Sequence, residues 1–126
     1  MKLTDEQKQA ITAEYEMWKE QMWAGKDKKE RQKLGQFHTP PELVFQMIEK
    51  FDNIEDKDIL DPTCGAGNLL AGMILAGADP KRVFGIELDP AIHNIAVKRL
   101  TALGVPEKNI LLGNALDENS YKKFKK

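Results

Sequence analysis

Two carboxylates and a pair of glycines carry the chemistry this chain can do. Asp61 opens the run Asp61-Pro62-Thr63-Cys64-Gly65-Ala66-Gly67, and Glu87 follows Gly67 by 20 residues. Gly65 and Gly67 let backbone N–H groups approach a bound molecule closely. The helix expected to open with Asn68 and Leu69 offers further donors at its N-terminus. A carboxylate about 20 residues beyond such a turn, at the end of the next strand, can accept hydrogen bonds from both hydroxyls of a ribose. Asn114 is a third polar residue expected at a strand end. Together these residues describe a site for an adenosine derivative.

Two ligands compete for that description. A dinucleotide fingerprint needs G-x-G-x-x-G so that backbone can meet pyrophosphate. Gly65-Ala66-Gly67-Asn68-Leu69-Leu70 lacks the third glycine. Asp61, at the mouth of the turn, would repel a pyrophosphate but could pair with an ammonium group. A ligand with an amino-acid end and an adenosine end, S-adenosylmethionine, satisfies both acids and is favoured. NAD remains the alternative.

These residues need a frame. Ile59-Leu60 reads as a short strand running into Asp61, where Pro62 ends the ladder. Leu69, Leu70, Met73, Ile74 and Ala76 make the following helix apolar, with Gly77 as its stop. Val83 to Glu87 reads as a second strand, Asp89 and Pro90 as the start of a helix, and Asn109 to Leu112 as a third strand. Ile92, Ile95, Ala96, Arg99, Leu100 and Leu103 keep helical spacing, and His93 reads as surface. Strands alternating with crossover helices imply an α/β fold, a Rossmann-like parallel sheet of about three strands, with the polar strand ends facing one crevice.

Upstream, Ile11, Tyr15, Trp18 and Met22 form one apolar stripe on a helix from Asp5 to about Ala24, flanked by Trp23. Lys26 to Lys33 holds five basic and two acidic residues and reads as a hinge or polar helix. Thr39 with Glu42 three residues later predicts a capping box, with a helix to about Phe51 and Leu43, Met47, Ile48 and Phe51 on one face. Residues 1–34 are thus expected to be a helical extension and charged linker, and residues 35–126 the ligand-binding unit.

Composition sets the class. Apolar residues make up 41% and charged residues 31% of the 126, which suits a globular domain. A net charge of -1 gives no overall attraction to nucleic acid or anionic membrane, although Tyr121-Lys122-Lys123-Phe124-Lys125-Lys126 ends the chain with four lysines. No apolar run is long enough for a membrane span. Cys64, the single cysteine, fits a reducing, cytoplasmic setting.

At these motifs the chain resembles the adenine-specific DNA methyltransferases, a class I fold that binds S-adenosylmethionine. Asp61-Pro62-Thr63-Cys64-Gly65-Ala66-Gly67 is similar to their first cofactor motif, D-P-x-C-G-x-G. Gly35-Gln36-Phe37-His38-Thr39-Pro40 resembles the preceding motif, G-x-[FY]-[FYH]-T-P, which lines the methionine end of the cofactor. Glu87-Leu88-Asp89-Pro90 resembles the ribose and adenine motif, with Leu88 against the base. Gly113-Asn114-Ala115-Leu116 resembles the next, with Asn114 standing where many members carry Asp. The likeness runs from Gly35 to Leu116, about two thirds of the chain.

The resemblance also implies a later motif, (D/N/S)-P-P-(Y/F), whose polar side chain holds the target amine while its aromatic ring stacks on the flipped base. No such run occurs in these 126 residues, and Pro40-Pro41 is preceded by His38-Thr39. The expectation is therefore the cofactor-binding half of the enzyme, with no catalytic residue of its own and no metal ligand. It would meet DNA only as part of a complete enzyme, and a second polypeptide, or a second copy, would complete the sheet. The alternative is a non-catalytic cofactor binder that docks on a methyltransferase or restriction complex.

Overall fold

The computed structural model describes residues 1–35 and 39–124. Phe37 and His38, expected to close over the methionine end of the ligand, lie outside the described residues.

The first helix, α1 (Asp5–Trp23), starts on a capping box: Thr4 Oγ1 accepts from Gln7 N–H, and the Gln7 side chain accepts from Thr4 N–H. Its stripe buries Ile11 and Met22. The charged run forms a short helix, α2 (Lys28–Gly35), with no buried residue.

The third helix, α3 (Pro41–Ile48), departs from expectation. Pro40 is its N-cap, without a side-chain cap bond, so the Thr39–Glu42 box does not form. Pro41 forces the residue before it into an extended conformation, and Pro40 obliges with ψ 148°. The helix therefore starts one residue later than the box requires, and Thr39 is left outside it. Its buried face is Pro41, Val44 and Ile48; Leu43 and Phe51 are both 47% exposed. The helix also stops at Ile48 rather than Phe51.

Three parallel strands follow, in the order β1 (Ile59–Asp61), β2 (Val83–Glu87) and β3 (Ile110–Leu112). Asn109 belongs to a single 3-10 turn before β3, where its side chain donates to the carbonyls of Lys81 and Val83. The crossovers contain α4 (Asn68–Leu75) and α5 (Pro90–Ala102), and a short α6 (Glu118–Lys122) comes last. Asp89 caps α5, its Oδ1 accepting from the N–H groups of Ala91 and Ile92. His93 is half-buried rather than a surface residue: its Nε2 lies 2.8 Å from the Ile110 carbonyl, because one turn into α5 the ring meets the start of β3.

One core joins these layers. Val44, Ile48, Ile54, Leu70, Val83 and Leu100 are fully buried in it, and Leu3 and Ile11 of the N-terminal region share the same cluster. Gly72 makes the α3–α4 contact close, since a Cβ there would lie 2.7 Å from Val44 Cγ1. Among the described residues no helix is long and apolar enough to cross a membrane.

Candidate functional site

Register brings the two acids together. Asp61 lies beside Gly85 across the parallel ladder, so Glu87, two residues further along β2, points to the same face of the sheet. That face looks onto α4: a Cβ on Gly85 would meet Cys64 Sγ at 2.9 Å and Leu70 Cδ1 at 3.2 Å. Glycine at 85 thus lets the turn after β1 settle onto β2.

The turn itself is tied down at several points. Cys64 N–H donates to the Ile86 carbonyl at 2.9 Å, and Gly65 N–H donates to Glu87 Oε1 at 3.0 Å. Gly65 and Gly67 take φ values of 55° and 89°, in the left-handed region that a Cβ penalises. A Cβ on Gly67 would also sit 3.1 Å from Leu100 Cγ, so α5 packs directly on the turn.

Between the turn, β2 and α3 opens a cleft of about 400 Å³, lined by Thr39, Met47, Asp61, Thr63, Cys64, Gly65, Asn68, Leu69 and Glu87. Seven of these nine come from just two stretches, the Asp61 strand end with its turn and helix start, and Glu87. The described lining holds two carboxylates and no Lys or Arg. Such a cleft suits a cationic ligand and disfavours an anionic one.

The electrostatics agree. Burial raises the Asp61 carboxyl above the ordinary carboxylate range; the Thr63 N–H, donating to its Oδ1 at 3.0 Å, opposes this, and the Glu87 charge adds to it. Glu87 is buried, with Oε1 held by Gly65 N–H and Oε2 by Asp89 N–H at 2.8 Å. Each carboxylate oxygen has a further lone pair for a hydroxyl donor. Burial pushes the Cys64 thiol up to about 12, with the Asp61 and Glu87 charges adding. It is a protonated, packed thiol at neutral pH and no nucleophile.

The remaining predicted residues divide. Pro62 is exposed at the rim beside the cleft-lining Asp61 and Thr63. Leu88 and Leu116 are 67% and 92% exposed, and neither lines the cleft. Asn114 is exposed, its Oδ1 accepting from Leu116 N–H, and Ala115 is half-buried. This loop is nonetheless tied to the site, because Gly113 N–H donates to the Glu87 carbonyl at 2.9 Å.

Three residues near the site were not singled out for it by sequence. Met47 lines the cleft from α3. Arg99 on α5 is 3% exposed, and its Nε donates to Glu14 Oε2 at 2.8 Å while Nη2 donates to Glu14 Oε1. Its Nη1 donates to Asn68 Oδ1 and to the Ala66 carbonyl, inside the glycine turn. The signal was present: Arg99 interrupts the apolar stripe of α5, and Glu14 flanks that of α1. Opposite charges on two buried faces must find each other.

This geometry agrees with comparisons to known proteins. The profile of the N-6 DNA methylase family matches residues 6–126, and the chain belongs to that family. It is 33% identical over 69 residues to the type II methyltransferase M.CvrRI of Paramecium bursaria Chlorella virus XZ-6E, covering 55% of this chain and 18% of that protein. It is 33% identical over 63 residues to the type II methyltransferase M.NspV of Nostoc sp. (strain ATCC 29411 / PCC 7524), covering 48% of this chain and 13% of that protein. The chain thus spans less than a fifth of the length of these curated relatives. No solved structure matches it.

Proposed function

We propose that this chain is the S-adenosylmethionine-binding portion of a DNA methyltransferase that acts on the exocyclic amine of adenine. One observation carries the reading: Asp61, Glu87 and Gly65 line one cleft whose described walls hold no cationic side chain. S-adenosylmethionine brings a sulfonium and an ammonium, positive charges that the described walls of this cleft lack, and a ribose for Glu87. Bound there, it supplies an activated methyl group. Asp61 holds the ammonium, Gly65 and the start of α4 follow the backbone of the ligand, and Glu87 takes the ribose hydroxyls. Phe37, His38, Thr39 and Pro40 close the methionine end. Leu88 meets the adenine, which gives that exposed leucine something to cover, and Asn114, Ala115 and Leu116 flank the base. The cleft's volume lies in the range of small-molecule sites.

The residues of this chain bind and orient. The (D/N/S)-P-P-(Y/F) run is absent from its sequence, so the chain binds cofactor without methylating DNA by itself. A second polypeptide, or a second copy, completes the sheet along β1. The exposed edge residue Leu60 and the pairing of β1 with β2 alone, among the described residues, support this.

Isothermal titration with S-adenosylmethionine and with NAD tests the assignment. The expected result is binding of S-adenosylmethionine alone. Binding of NAD in its place would overturn it.

A further inference from the structure

The glycine turn has a second anchor, Arg99 of α5, and the N-terminal helix holds that anchor in turn. Glu87 holds one side of the turn through Gly65 N–H. On the other side, the Arg99 guanidinium reaches the Ala66 carbonyl, between the two glycines, and Asn68, the first residue of α4. Glu14 of α1 takes the remaining edge of the same guanidinium. All three polar side chains are nearly out of solvent: Arg99 is 3% and Asn68 6% exposed, and the Glu14 side chain 9%.

Position makes this pair more than a core contact. A turn with glycines at 65 and 67 has wide conformational freedom of its own, so the order a ligand needs must be imposed from outside. The guanidinium presents its donors in a planar, fixed fork, suited to clamping a carbonyl and an amide oxygen at once. Glu14 fixes the orientation of that fork. A buried ion pair is generally no better for stability than apolar residues of the same volume, so burial alone does not account for one placed here.

We propose that Arg99 and Glu14 are positioning residues for the cofactor turn, through which α1 sets cofactor affinity without touching the ligand. This rests on the reading of the cleft as an S-adenosylmethionine site. It adds that the N-terminal helix is part of that site's support.

The deciding variant is the double substitution Glu14→Leu with Arg99→Met, which removes the pair and leaves no unpaired buried charge. Amide hydrogen exchange on the free protein should quicken at Gly65 and Gly67 while Val83 and Ile110 keep their protection. S-adenosylmethionine should bind about tenfold more weakly to protein of near-unchanged melting temperature. Wild-type exchange at the two glycines together with wild-type affinity would overturn the proposal. So would quickening spread equally to Val83 and Ile110, the mark of general destabilisation. Should the double variant not fold, Arg99→Lys keeps the charge but loses the fork, and unchanged exchange at Gly65 and Gly67 in it overturns the proposal equally. If the wild-type chain binds no S-adenosylmethionine, the functional reading fails, and the exchange measurement still decides the role of the pair.

Discussion

Asp61 holds a carboxyl in surroundings that favour its neutral form. Because the folded state binds that proton more tightly than the unfolded chain, its contribution to stability is greatest below the ordinary carboxylate range. That contribution is lost as pH rises through the raised value. At neutral pH an ionised Asp61 therefore opposes folding, and a cationic ligand relieves it. Asp61→Asn keeps an acceptor for Thr63 N–H and removes the charge. The free variant is expected to melt no lower than wild type at pH 7, with its relative advantage shrinking as pH falls into the carboxylate range. Its affinity for S-adenosylmethionine is expected to fall by about ten- to a hundredfold, the worth of a hydrogen bond to a charged group. Melting curves and titrations across pH check both, and wild-type affinity should decline on acidification while the stability term moves the other way. Glu87 is a poorer probe, since its removal strands the N–H groups of Gly65 and Asp89 as well as any ribose.

Among the elements, α3 is the one whose placement sequence alone misjudged. Two consecutive prolines shift its start and leave Thr39 facing the cleft instead of capping, while Val44 and Ile48 close against Gly72 of α4. Adding a methyl at Gly72 would put it 2.7 Å from Val44 Cγ1 and 3.0 Å from Ile48 Cδ1. Gly72→Ala is therefore expected to cost about 1–3 kcal/mol, typical of overpacking, despite the better helix propensity of alanine. By pushing α3 away it also shifts Met47 and Thr39, so S-adenosylmethionine affinity should drop with it. Denaturant unfolding and titration of the same variant measure the two effects.

At the scale of the molecule, the two faces of the sheet are covered unequally: on the face away from α4, Ile86 is buried but Leu60 is 42% exposed. The α4 side carries the core, whereas the opposite face of β1 and β2 shows Leu60 beside Phe84, which meets Phe124 edge to face at 5.2 Å. An unpaired strand edge next to apolar side chains is a template for further strands. Under the proposed assembly, light scattering should show concentration-dependent self-association, or a single partner should restore a defined mass. Leu60→Lys, placing a charge on that edge, should abolish it. A strictly monomeric chain at high concentration that also binds no partner would remove the assembly proposal and leave the cofactor site untouched.

Much of this protein is written locally. The alternation of strands and helices that gives three parallel strands, the cap at Asp89 and the positive-φ Gly77 just past the end of α4 follow from short-range patterns. A strand end, a tight turn and a helix start each depend on a few neighbouring residues. Tertiary structure alone decided the rest. His93 found the Ile110 carbonyl, Asn109 bridged two strand carbonyls, and Glu14 crossed from α1 to Arg99. These contacts join residues 17 to 85 positions apart, and no local propensity specifies them. Sequence determined where the acids and glycines of the site stand in the chain. Packing determined that the described walls of the cleft between them hold no Lys or Arg and that Glu14 of the first helix meets Arg99 behind the glycine turn, because charge balance and burial depend on which elements meet in space.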